Sequence, residues 1–136
     1  MLGEKMKKAA LLILFFLFSF SQMALGCSVP RSGPEYDSLV KIEDLGKNTF
    51  RAIFPKEAHG LNYGADVSVA YYDVSEKYRS GEYYKRVGLI EREDHYVVNF
   101  KLIKIEGYIP YVEVFWFPKV GGMCGAYGKS NDLLVK

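Results

Sequence analysis

Thr49-Phe50-Arg51-Ala52-Ile53-Phe54 decides the fold class. Phe50, Ala52 and Phe54 fall on one side of an extended chain, Thr49, Arg51 and Ile53 on the other, and Pro55 stops the run. A period of two marks a half-buried strand, because successive side chains of an extended backbone point to opposite faces. Asp66–Asp73 repeats the pattern, with Val67, Val69 and Tyr71 opposed to Ser68, Ala70 and Tyr72. Ile109–Pro118 is apolar on both faces, Val112, Val114 and Trp116 against Tyr111, Phe115 and Phe117, as a central strand should be. Pro110 belongs at its start, where no ladder hydrogen bond is lost.

Further strands are expected at Ser38–Glu43 and near Met123–Tyr127, the latter after the Gly121-Gly122 turn. Tyr83–Glu91 and His95–Glu106 read as two arms of a hairpin around Arg92-Glu93-Asp94. In the second arm Val98, Phe100 and Leu102 alternate, and then Ile103 and Ile105 take over. Such a phase slip marks a bulge or a strand that changes sheets. About seven short strands at regular spacing predict an all-β fold, an antiparallel β-sandwich. Immunoglobulin-like topology is the first expectation and a small β-barrel the alternative. The cysteine–tryptophan–cysteine spacing of antibody domains is absent, so that resemblance is one of architecture only.

Ahead of this domain lies a different kind of sequence. Met1–Lys8 carries three lysines and one glutamate, and Ala9–Phe20 is apolar except for Ser19. A basic start, an apolar core of about a dozen residues and small residues at a cut site define a secretory signal peptide. Residues 1–26 are therefore expected to be removed, residues 27–35 to form a proline- and glycine-bearing tether, and residues 36–136 to fold as one β domain.

Ala24-Leu25-Gly26-Cys27 resembles the lipobox of bacterial lipoproteins. The resemblance implies cleavage between Gly26 and Cys27, lipidation of Cys27 and, with Ser28 next, delivery to the outer membrane facing the periplasm. Ala24 stands where leucine is most common in that family. The same residues satisfy the small-x-small rule for ordinary signal peptidase. Cys27 is then free to pair with Cys124, the only other cysteine, in a soluble periplasmic or secreted protein.

The three lysines and Glu4 leave with the signal, so the mature chain keeps 15 basic and 15 acidic residues. A neutral domain with dispersed charge has no footprint for nucleic acid and no polybasic patch for a membrane. An anchor, if present, is the lipid on Cys27. All 11 tyrosines lie in the mature part, where aromatic side chains suit strands and can also offer stacking platforms for sugars or peptides.

Few residues carry reactive chemistry. Gly128-Lys129-Ser130 lacks the earlier glycine of a phosphate-binding loop, since position 123 is Met123. Cys124 in a glycine-rich turn has no neighbouring catalytic signature; a hydrolase using it, with His59 or His95 as base, is the one enzymatic alternative. His59 and His95 are too few for a structural metal site, and Glu43-Asp44 and Glu93-Asp94 read as turn caps. No catalytic residue, metal or cofactor is expected. The reading is a binding or structural module of the bacterial envelope, its partner an envelope protein, peptidoglycan or a glycan. The alternative is a soluble ligand-binding or inhibitor domain closed by Cys27–Cys124.

Overall fold

A computed structural model describes residues 2–23, 30–76, 80–118 and 124–136. A helix, α1 (Leu2–Met23), precedes a helical turn, α2 (Pro34–Asp37), and eight strands follow. These are β1 (Lys41–Gly46), β2 (Thr49–Pro55), β3 (Ala65–Asp73), β4 (Gly81–Arg86), β5 (Ile90–Glu91), β6 (His95–Lys101), β7 (Tyr108–Trp116) and β8 (Ala126–Lys129).

The strands form two antiparallel sheets, ordered β1-β2-β6-β5 and β4-β3-β7-β8. This is the strand order of an immunoglobulin-like sandwich: the first sheet supplies the places of A, B, E and D, the second those of C′, C, F and G. The sheets do not close into a barrel.

The core follows from the alternation. Phe50, Ala52 and Phe54 of β2 and Val98 and Phe100 of β6 face Val67 and Val69 of β3 and Val112, Val114 and Trp116 of β7, all buried. Each large side chain so enclosed contributes about 1.5–3 kcal/mol. Trp116 sits centrally, its Nε1–H donating to the Pro55 carbonyl at 2.9 Å and its ring edge-on to Phe54 at 6.2 Å.

Three local features differ from the sequence expectation. First, Tyr83–Glu91 is not one arm. β4 ends at Arg86 and pairs with β3, whereas Ile90–Glu91 pairs with β6 in the other sheet. The chain crosses between sheets at Val87–Leu89, where the sequence carries no proline to announce it. Second, the phase slip after Leu102 is the end of a strand. β6 stops at Lys101, Ile103 is exposed, and the chain passes over to β7 through a turn in which Gly107 has φ +79°. Third, β1 starts later than Ser38 and joins β2 through Lys47 and Asn48, both at positive φ (52° and 59°) as a two-residue type I′ turn requires.

The stretch around the expected tether is partly built into the fold. Arg31 runs parallel to β8, donating its N–H to Gly125 O at 2.9 Å and accepting from Tyr127 N–H at 2.8 Å. α2 begins at Pro34, a residue preorganised for the first helical position. It buries Tyr36 against Trp116 and offers Asp37 Oδ1 to Lys129 N–H at 2.8 Å. Gly128 permits this approach: a Cβ there would lie 2.7 Å from the Tyr36 carbonyl oxygen and 2.9 Å from Trp116 Cζ3.

Candidate functional site

The outward face of β4-β3-β7-β8 is built in lateral rows, because paired residues of neighbouring strands project to the same side. One row is Arg86, Ser68, Glu113 and Lys129. On one side of it lies Tyr84, Ala70 and Tyr111; on the other, Asp66, Phe115 and Tyr127. A polar row thus runs between two rows that carry aromatic rings. Along β7 the aromatic rows stand four residues apart, about 13 Å at the rise of a strand.

Two glycines let the rings lie flat. A Cβ on Gly81 would meet Tyr84 Oη at 2.6 Å and the Ala70 methyl at 3.0 Å, so the Tyr84 ring folds over a strip without side chains. A Cβ on Gly125 would meet Phe115 Cζ at 2.3 Å. Phe115 in turn contacts Tyr127, with centroids 4.7 Å apart, and Phe117 at 5.0 Å. Ala70 and Tyr111 are fully covered although they face outward. Tyr111 is covered from the side by Tyr72 at 6.0 Å, and Lys129 Nζ lies 5.8 Å above its ring.

Between these rows a cleft of about 210 Å³ is lined by Asp66, Ser68, Tyr84, Arg86, Glu113, Phe115 and Tyr127. Among the described residues Arg86 forms no ion pair, and the Glu113 carboxylate receives a long 3.5 Å contact from the Tyr111 hydroxyl. The Tyr84 phenol is held above its ordinary pKa by burial first and then by the nearby Glu113 carboxylate, while a hydrogen bond with Tyr111 opposes the shift. A wider groove of about 650 Å³ runs between β1 and residues 130–134, with Asp37, Lys41, Asp44 and Asp132 among its lining.

Cys124 lies just before β8, half-buried and disulfide-bonded. In that state it carries no thiol for nucleophilic chemistry. Cys27, Gly26 and the rest of the expected cleavage and lipidation site lie outside the described residues.

The remaining candidates are dispersed. His59 is exposed, edge-on to Tyr36 at 5.1 Å and 3.1 Å from the Glu35 carbonyl. His95 opens β6 with Nδ1 2.6 Å from Asp94 Oδ1. Glu43 pairs with Arg51 at 3.2 Å, and Asp44 accepts Gly46 N–H at 2.9 Å, capping the β1–β2 turn. Ser130 is buried in the fold, its Oγ accepting Val112 N–H at 2.8 Å. Asp73, Glu76 and Glu82 bring carboxylate oxygens within 4.8 Å of one another. Asp73 already accepts two bonds from Ser75 and Glu82 one from Tyr108.

Sequence reasoning missed the cleft, because its members come from four strands. One signal was available: the outward side of β7 and the residue after it carry Tyr111, Phe115 and Phe117, which is more aromatic surface than a solvated face needs. No protein-family model, curated protein or solved structure matches this chain.

Proposed function

We propose that the chain is an exported binding module, an immunoglobulin-like sandwich fastened by a Cys27–Cys124 disulfide after removal of residues 1–26. The disulfide at Cys124 carries this reading. A chain of two cysteines that closes a bond has used both, and such bonds persist in oxidising compartments. The basic and apolar start of the chain agrees with that route. Met6 and Leu11–Phe15 of α1 are exposed, so the sandwich does not bury them. Among the described residues no helix is long and apolar enough to cross a membrane. The module works through the aromatic and charged face of its second sheet.

A lipid-anchored form is the second reading, favoured by Ala24-Leu25-Gly26-Cys27. The two compete for one sulfur, because a thioether to lipid leaves Cys27 nothing with which to bridge Cys124. Expression of the full chain in a Gram-negative host, followed by osmotic release and detergent phase partition, separates them. The disulfide form appears in the soluble periplasmic fraction and gains two hydrogens on reduction. Recovery in the detergent phase with acyl mass on the N-terminal peptide overturns it.

A further inference from the structure

We propose that the cleft between the two aromatic rows binds a short neutral oligosaccharide. The inference rests on the binding-module reading and names its ligand. Tyr84 on one side and Phe115 and Tyr127 on the other present ring surface. The polarised C–H groups on the face of a pyranose are attracted to the negative face of such rings. The row between them holds the Glu113 carboxylate, the Ser68 hydroxyl and the Arg86 guanidinium, and the Asp66 carboxylate lines the cleft from the row of Phe115 and Tyr127. Carboxylates accept from sugar hydroxyls, and the guanidinium fork donates to two neighbouring ones. An apolar surface with a few convergent polar groups is the general form of a small-ligand site.

Charge selects among ligand classes. Asp66 and Glu113 oppose Arg86 in the cleft, with Lys129 beside it in the same row. Phosphorylated or acidic ligands meet two carboxylates, and lipid chains meet a charged floor. A polyhydroxyl ligand, which both donates and accepts and carries no net charge, satisfies every group. The distance between the aromatic rows, about 13 Å, calls for more than one sugar ring.

The test is titration of the purified, oxidised domain with cellotriose, maltotriose and chitotriose, followed by amide chemical shifts. The expected result is saturable shifts at residues 66, 68, 84, 86, 113, 115 and 127 with at least one sugar. Tyr84→Ala and Glu113→Gln each weaken that binding about tenfold, roughly 1.4 kcal/mol. Gly81→Ala, which displaces the Tyr84 ring and leaves the inner core alone, weakens it similarly. Lys41→Ala, in the wider groove, leaves it unchanged. Shifts at those residues from an extended Ser/Thr/Gly peptide, with none from the sugars, overturn the sugar assignment and leave the binding module standing. No response to any probe overturns both.

Discussion

Trp116 offers the sharpest test of how the sandwich is held together. Its indole N–H satisfies the Pro55 carbonyl, and its distal ring lies against Gly128, where a Cβ would come within 2.9 Å of Cζ3 and 3.0 Å of Cη2. Trp116→Phe removes the donor, which orphans a part-buried carbonyl at a cost of about 1–3 kcal/mol. It also empties part of the indole volume, and full truncation to alanine would cost about 3–5 kcal/mol. The expected loss for phenylalanine is about 2–4 kcal/mol. Gly128→Ala overpacks the same place and costs about 1–3 kcal/mol.

The two changes should not add. Phenylalanine withdraws the ring atoms that the new methyl strikes, so Gly128→Ala costs less in the Trp116→Phe background. The clash with the Tyr36 carbonyl oxygen at 2.7 Å remains, so the relief is partial. A coupling of about 0.5–1.5 kcal/mol falls within the range measured for residues in contact. Urea unfolding of all four proteins by far-ultraviolet circular dichroism, with constant slopes, measures it. Additivity within about 0.3 kcal/mol, or a Trp116→Phe cost below about 1 kcal/mol, refutes this account of the core.

Other consequences follow from the same geometry. A Cys27→Ser/Cys124→Ser variant should lose about 4–5 kcal/mol, the chain-entropy value for a loop near 100 residues, read as a fall in urea midpoint. Tyr108 is pushed up to about 12 by its bonds with Tyr83 and Glu82, and Tyr71 and Tyr84 are raised chiefly by burial. Phenolate absorbance should therefore rise in two phases, with the late phase lost in part by Tyr108→Phe. Because these folded pKa values lie above the unfolded value of about 10, their stabilisation is complete below pH 10 and disappears as pH climbs through the raised values. Asp94 is lowered by its bond with His95 and Asp73 by its bonds with Ser75. Their stabilisation is present above the unfolded pKa of about 3.9 and is lost as pH falls through the lowered values. Asp73→Asn with Asp94→Asn should flatten the acid limb of stability against pH.

The sandwich was legible because burial imposes period two on its central strands. Phe50, Ala52 and Phe54 alternate in the sequence, and all three are buried. The crossing at Val87–Leu89 was not legible, since a chain that leaves one sheet edge for the other stays extended and keeps its strand-like composition. α2 was marked only by Pro34, and four residues are too few for a helical stripe. Arg31 gives no local signal, because its bonds are to Gly125 and to Tyr127 of β8, more than 90 residues away in the chain. The cleft depends on lateral register among β4, β3, β7 and β8, which no single segment encodes. Nothing in the sequence near Gly81 or Gly125 announces their role, which is to admit the rings of Tyr84 and Phe115.

The fate of one sulfur separates the two forms of the protein, and a tryptic digest of the exported chain reads it directly. Cleavage after Arg31, Lys119 and Lys129 places the two cysteines in residues 27–31 and 120–129. Without reductant, the disulfide account predicts a single species joining these two peptides, which reductant splits into both. Residues 27–31 carrying acyl mass, with residues 120–129 recovered as a free thiol, contradict it.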